Sequence, residues 1–511
     1  MLVVSRRSRS LDLGIGAAFA LAVLFVQPLG VMFRRPFWVD EAWVGDLVKV
    51  PLSRQVALSS STPIGWALLL RLVPGHGTER LRVVPLLFSV AAVVVAFVLA
   101  RGLNWRSPGE ARAAGVIAGA AVLLAPISLQ QNDLKQYTAD AALALLVFVV
   151  AREADRRPGR RALVLLGVMS VVAVPFSTVA VFVGAAAFAG LLGAAAFERQ
   201  WRRVRDVLFT GCAAGVAIAA YAAIVVLPHQ NRALREYWRP FYLDGSPWHV
   251  VSTAGHRFLA LRSTFGVAPV LVVAFFVAGL LVLGARRSLA TAISAVVLWL
   301  EMLALGVVDR YPFLDPRTSH FLLIVTLTIA AIGFSGVATE VARRRPLLLA
   351  VVVIVAVGGL AFGVRHQIRT FQFPVEDVRV QTLYVAQHHR ANDVVVVNLL
   401  ANWGFTYYWR DAGTRVFVAR PAIAAGYIAR VDGINGVFAG GRRRADAIAT
   451  LQRALAERRA LGGRGRIWIV RTHLIGGDNA AWTEAFTALH LHPVSMTGGP
   501  EPLLAVNATS P

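Results

Sequence analysis

The feature that most constrains this chain is a recurrence of apolar stretches, rich in Ala, Val, Leu and Phe, many of them close to the length of a bilayer and most closed by arginine or proline. A helix rises 1.5 Å per residue, so about 20 apolar residues cross a hydrocarbon core of about 30 Å. Such a stretch must satisfy its own backbone hydrogen bonds in lipid, which a helix does. About eleven spans are read on this basis, the run at 113–126 being short and extended into its flanks. Composition agrees with them: 57% hydrophobic residues, 16% charged residues and a mean hydropathy of +0.62 are too apolar for a soluble enzyme. The chain reads as a polytopic α-helical membrane protein.

The first run, residues 11–33, follows Arg6, Arg7 and Arg9, which the positive-inside rule keeps in the cytoplasm. No small-x-small cleavage site follows it, so a retained anchor is expected rather than a signal peptide. Residues 34–81 form a first outer loop rich in Trp and Arg, whose apolar piece at 66–73 is too short to span and fits an interfacial or re-entrant helix. Further spans are expected near 82–100, 113–126, 137–151, 207–227, 266–285, 289–308, 319–337 and 347–364. Residues 162–197 are too long for one helix, and Pro175-Phe176-Ser177-Thr178 marks a hairpin between two.

An odd count places the two ends on opposite sides. The loops then assigned to the cytoplasm carry Arg101/Arg106/Arg112, Arg152/Arg156/Arg157/Arg160/Arg161, Arg199/Arg202/Arg203/Arg205, Arg286/Arg287 and Arg343/Arg344/Arg345, and all are basic. The net charge of +24 is thus read as topology and not as a nucleic-acid surface, because it recurs in short clusters between apolar runs. Some outer loops are basic as well (Arg34, Arg35, Arg80, Arg82, Arg232, Arg235, Arg239), which topology does not explain. The single cysteine, Cys212, excludes a disulfide framework and a cysteine metal site. The excess of Arg over Lys is a compositional association with GC-rich bacterial genomes, so the expected location is a bacterial plasma membrane.

From about residue 365 the composition becomes that of a soluble domain. Val394–Val397 and Ile467–Val470 read as buried strands, and residues 445–459 and 479–489 as amphipathic helices. The expected organisation is a membrane domain over 1–364 and a small extracytoplasmic α/β domain over 365–511. Gly440-Gly441 and Gly462-Gly463 are loop punctuation, since no phosphate-binding glycine spacing surrounds them.

Three constellations could carry chemistry. Phe37-Trp38-Val39-Asp40-Glu41-Ala42-Trp43 sets two carboxylates just beyond the first span. A partly desolvated carboxylate is a strengthened base, able to take a proton from an acceptor hydroxyl; the plainer role is to cap an interfacial helix beginning near Ala42. Asp133-Leu134-Lys135-Gln136-Tyr137-Thr138-Ala139-Asp140 opens the fourth span, where a positive helix end and a lysine suit an anion, although Lys135 could simply snorkel. In residues 309–320, Asp315 is expected as an N-cap with Pro316 at N1, leaving Arg317 in the first turn and Arg310 nearby. Glu301, inside a span, must face protein or a cavity, and pairing with an arginine is expected. The histidines (His76, His229, His249, His256, His388, His389) show no zinc spacing, and Asn507-Ala508-Thr509 is a weak glycosylation sequon.

The acidic pair stands with Thr62-Pro63-Ile64-Gly65-Trp66, Gly77-Thr78-Glu79-Arg80-Leu81-Arg82-Val83-Val84-Pro85 and Lys135-Gln136-Tyr137. This order resembles the GT-C membrane glycosyltransferases, in particular bacterial relatives of the protein O-mannosyltransferases and of the lipid A aminoarabinose transferase. The likeness lies in motifs over roughly the first 150 residues and beyond them in layout. It implies transfer of a sugar from a polyprenyl-phosphate donor to an acceptor hydroxyl of protein, lipid or cell-wall glycan on the outer face. Asp40 would be the catalytic base, adjoined by Glu41. Lys135 with Tyr137, and less directly Arg317 and Arg310, would hold the donor phosphate, with Arg82 and Asp140 in the vicinity of donor or acceptor. No cofactor is assigned, and a divalent cation is left open. The sequence departs from the family pattern where Ser61-Thr62-Pro63 replaces a proline pair and where Lys135 replaces an arginine. The competing class is a transporter or lipid flippase, for which the sequence offers no repeated halves. A non-catalytic scaffold is a third reading.

Overall fold

The computed structural model describes residues 6–59, 62–74, 79–130, 133–157, 159–229, 231–345, 378–409 and 415–507, with positions 347, 358, 362, 365 and 376. The chain divides into two compact units. A helical unit takes residues 1–30, 62–66 and 82–371, and a mixed unit takes 31–61, 67–81 and 372–511.

In the helical unit, α1 (Arg6–Val26) ends directly before Gln27-Pro28, where proline supplies no N–H to continue it. It is therefore shorter than the expected run at 11–33. The helix α4 (Val83–Arg101) packs on α1, α5 (Pro108–Leu124) and α6 (Tyr137–Arg156). Ser107 caps α5, its hydroxyl accepting from the Glu110 N–H at 3.1 Å, with Pro108 at N1. The hairpin expected at Pro175 separates α7 (Arg160–Ala173) from α8 (Ala180–Phe197). Then come α9 (Trp201–Tyr221), α10 (Pro247–Ala260), α11 (Pro269–Ala285), α12 (Leu289–Val307) and α13 (His320–Arg344).

Of the described helices, five segments are long and apolar enough to cross a membrane: Glu79–Arg101, Ala180–Phe197, Trp201–His229, Leu289–Val307 and His320–Arg344. Ser10–Val26 and Pro269–Ala285 are shorter apolar helices. The run expected at 347–364 lies largely outside the described residues. The centre of the unit is α13, which packs against α11, α5 and α6, whereas α9 is largely exposed, as a helix bathed in lipid would be. Glycines set the closest crossing: a Cβ on Gly333 would collide with the Phe275 carbonyl, and one on Gly279 with the Ile329 carbonyl, so α11 and α13 meet backbone to backbone. Glu301 on α12 has no arginine partner among the described residues, contrary to the expectation from sequence, and its Oε2 is buried without a hydrogen bond there.

The mixed unit is built on a sheet of order β4-β1-β5-β7-β6. Its strands are β1 (Val394–Val397), β4 (Gly436–Phe438), β5 (Ile467–Val470), β6 (Val494–Ser495) and β7 (Leu504–Val506). The first three run parallel, and β7 pairs antiparallel with β5 and β6. Because β1 and β5 are buried on both faces, their sequences are unbroken apolar runs. The helices α16 (Arg444–Ala460) and α17 (Asp478–Ala488) fall within a residue of their expected bounds and share the core around Leu451, Trp482 and Ile469. A second ribbon joins β2 (Arg415–Ala419) to β3 (Tyr427–Val431).

Loop residues complete this unit. The helix α2 (Val39–Lys49) packs on α15 (Asn402–Tyr408), which also contacts β3 and α14 (Val378–His388). The Phe37 N–H donates to the Tyr408 hydroxyl at 2.7 Å, Arg54 to the Phe417 carbonyl at 2.7 Å, and the Tyr427 hydroxyl to the Trp43 carbonyl. The short apolar piece of the first loop is α3 (Ile64–Arg71), which contributes residues to both units.

Candidate functional site

Asp40 and Glu41 both lie in the first turn of α2, which starts three residues before Ala42. Their environments differ. Glu41 is fully buried and pairs with Arg35 at 3.0 Å, while its Oε2 also accepts from the Trp38 N–H at 3.4 Å. It thus serves the helix terminus, as a carboxylate at N3 does. Asp40 is half-buried. Its charge acts on His473 and Glu376, two groups with no part in the sequence motifs.

His473 follows β5 in the loop Arg471-Thr472-His473-Leu474 and has a left-handed backbone, φ +53°. Its Nδ1 lies 2.6 Å from Glu376 Oε1. Glu501 holds the same loop, accepting from the Thr472 hydroxyl at 2.6 Å and the Leu474 N–H at 3.0 Å. Burial alone would depress the imidazole, but the bond to Glu376 and the charges of Glu376, Asp40 and Glu501 win, and its pKa is raised. Burial likewise pushes Glu376 up, against the pull of His473. Trp38 lies beside the imidazole, ring centres 6.2 Å apart. A position just past the carboxyl end of a parallel strand is where α/β sheets commonly place functional groups, and this was the one signal in the sequence that could have found His473.

A second buried group of the mixed unit is Asp46, which has no hydrogen-bond partner among the described residues. Burial raises its pKa well above the ordinary value, against the charges of Lys49 and Arg415. Burial brings Lys49 down to about 8, its Nζ 2.7 Å from the Tyr407 carbonyl and 3.7 Å from that ring's centre. Glu79, from the motif entering the second expected span, receives Arg379 at 2.7 Å and the Tyr408 hydroxyl at 3.2 Å. Gly77 and Thr78 of that motif lie outside the described residues, as do His76 and the last two residues of the Asn507 sequon.

In the helical unit, the second and third constellations come together. Lys135 is buried in the turn before α6, its N–H donating to Asp133 Oδ1 at 3.1 Å. Trp66 Nε1 donates to the Leu134 carbonyl at 2.7 Å, so the Thr62–Trp66 motif buttresses the lysine turn. The Gly65 N–H donates to the Pro175 carbonyl at 2.7 Å, and a Cβ there would strike that residue. Arg317 lies over the Tyr137 ring, 5.8 Å from its centre. Tyr311 is buried and donates to the Thr318 carbonyl at 2.7 Å; burial, then the charges of Asp140, Tyr137 and Asp315, hold its phenol well above the ordinary range. Asp140 is buried on α6, Arg82 is fully buried beside α4, and Arg310 is exposed after the left-handed turn at Asp309. Asp315 Oδ2 accepts from the Thr318 N–H at 2.9 Å, but it caps a turn, and α13 begins only at His320. Buried lysine and arginine carry a large desolvation penalty that anionic partners must offset. Among the described residues no cluster of three or more His, Cys, Asp or Glu is arranged to hold a metal ion.

No protein-family profile and no curated protein sequence matches the chain. Solved structures do. The crystal structure of ArnT from Cupriavidus metallidurans, bound to undecaprenyl phosphate, is similar over 97% of this chain and 98% of its own, at a TM-score of 0.57 and 12% identity. The archaeal oligosaccharyltransferase AglB from Archaeoglobus fulgidus, in complex with an inhibitory peptide and a dolichol-phosphate, is similar over 99% of this chain and 75% of its own, at 0.54 and 11%. An Archaeoglobus fulgidus oligosaccharyltransferase complex with Zn and sulfate covers 89% of this chain and 67% of its own, at 0.51 and 13%. At such identities the likeness is one of fold, and the fold is that of the GT-C membrane enzymes.

Proposed function

We propose that the chain is an inverting glycosyltransferase that moves a sugar from a polyprenyl-phosphate donor to an acceptor hydroxyl on the outer face of a bacterial plasma membrane. The observation that carries this reading is the fold likeness along nearly the whole chain to ArnT bound to undecaprenyl phosphate, joined to a half-buried Asp40 in the expected loop. About eleven spans, with the N-terminus inside and residues 365–511 outside, complete the proposed topology.

Asp40 takes the proton of the acceptor hydroxyl. The freed oxygen bonds to the anomeric carbon from the face opposite the phosphate, the carbon–oxygen bond to the carrier breaks, and polyprenyl phosphate leaves with the electron pair. Lys135, supported by Tyr137 and Arg317, stabilises the charge that grows on that phosphate. Arg310 adds long-range attraction, and Arg82 and Asp140 fix the surroundings of donor or acceptor. Glu41 holds the helix that presents Asp40, and His473 with Glu376 positions the base.

The test is to incubate purified protein with a panel of labelled polyprenyl-phosphate sugars and a membrane and cell-wall extract, then identify what becomes labelled. Asp40→Asn should abolish transfer in a protein that still folds and binds lipid. Near wild-type turnover in that variant would refute the base assignment. Lys135→Ala should lower kcat by about 10²–10³, the range for losing one charge-stabilising donor. No transfer from any donor would turn the reading towards a lipid transporter.

A further inference from the structure

We propose that an arginine-lined cavity in the helical unit, separate from the residues above, binds the phosphodiester head group of an anionic phospholipid. The cavity, about 380 Å³, opens between the last turns of α11 and α13 and the 102–107 segment that joins α4 to α5. Arg106, Arg286, Arg287 and Arg343 line it, against the single carboxylate of Glu340.

Two of these arginines are committed. The Arg286 guanidinium lies 4.7 Å from the centre of the Trp105 ring and donates to the Asn104 carbonyl at 3.0 Å. Arg343 pairs with Glu110 at 2.6 Å and with Glu340 at 3.7 Å. The side chains of Arg106 and Arg287 have no partner among the described residues. Cations at helix C-termini complement the dipole, which accounts for Arg343 and in part for Arg286. It does not account for the backbone at Arg287.

Arg287 has φ +56°. Its N–H donates to the Gly284 carbonyl at 3.2 Å and the Ser288 N–H to the Leu283 carbonyl at 2.9 Å, so Arg287 takes the left-handed place of a helix-ending motif that glycine normally fills. An arginine held there against its backbone preference, with its charge unpaired, is a strained residue of the kind that collects at binding sites.

The walls favour a lipid over a soluble anion. Val282, Ala285 and Gly336 give the cavity apolar lining, and Leu281 and Val337, neighbours on the same two helices, are exposed apolar side chains where acyl chains would run. All three loops belong to the arginine-rich set assigned to the cytoplasm, so the lipid would come from the inner leaflet, where basic pockets between helices take such head groups.

The experiment uses delipidated full-length protein in mild detergent and reads its melting temperature with dioleoyl-phosphatidylglycerol, dioleoyl-phosphatidylcholine or inorganic phosphate added. Phosphatidylglycerol should raise the melting temperature by several degrees, and the other two should do little. Arg106→Ala/Arg287→Ala should lose that rise, and Arg106→Lys/Arg287→Lys should keep part of it, with sugar transfer by both variants unchanged. An equal response to both lipids, or a full response in the alanine variant, overturns the site. A rise from phosphate that matches phosphatidylglycerol and vanishes in the alanine variant overturns the lipid assignment in favour of a soluble anion.

Discussion

Asp40 and Glu41 differ by one methylene and one position, yet their surroundings separate them. Glu41 sits fully buried on Arg35, and removing one partner of a buried pair leaves the other charge uncompensated, at a cost of about 3–5 kcal/mol. Glu41→Gln should therefore lower the unfolding temperature measurably, whereas Asp40→Asn should remove turnover at nearly unchanged stability; thermal melts beside transfer assays separate the two. His473 gives a pH dependence. Its pKa lies above the ordinary 6.5 in the folded chain, so the stability it supplies is complete below that pH and is lost as pH rises through the raised value. Glu376, also raised, acts in the same direction from its own ordinary value of 4.5 upwards. Melting temperatures should fall as pH climbs above 6.5, and His473→Ala should flatten that part of the curve. An unchanged slope in the variant would remove the histidine from this account.

At the scale of elements, much was legible because each signal was local. Pro175 breaks its run in the sequence and in the structure, and the four-residue apolar runs of β1 and β5 coincide with their strands. What escaped reading depended on distant partners. The α15 segment Asn402–Tyr408 is aromatic and helical because α2 and β3 pack on it, and nothing within seven residues announces that packing. His473 and Glu376 escaped for the same reason, since each is an ordinary loop residue until the fold sets them 2.6 Å apart. The Asp133, Lys135 and Tyr137 spacing was readable, but its support from Trp66 and its contact with Arg317 were not. Helix crossings are likewise invisible without their partners. Gly333→Leu should wedge α11 from α13, where no side chain fits, with overpacking of about 1–3 kcal/mol or more seen as a lower melting temperature in detergent.

At the scale of the molecule, the proposed topology predicts that alkaline phosphatase fused after Arg365 is active; an inactive fusion that is stably expressed would place residues 365–511 in the cytoplasm. The mixed unit makes a second prediction. Residues 372–511 made alone lack α2 and should bind a hydrophobic dye and yield quickly to protease, and co-expression with residues 31–81 should restore protection. That division of one unit between two distant stretches of chain also sets a schedule. Roughly 300 residues separate the loop from the rest of its unit, and at about 5–20 residues per second the ribosome needs about 15–60 s to deliver them. Throughout that interval Phe37 and Trp43 have no Tyr408, Tyr427 or α15 to cover them. The nascent loop is thus an early client for whatever guards unfinished chains at the membrane, and a stalled ribosome anywhere in the helical unit would leave it waiting.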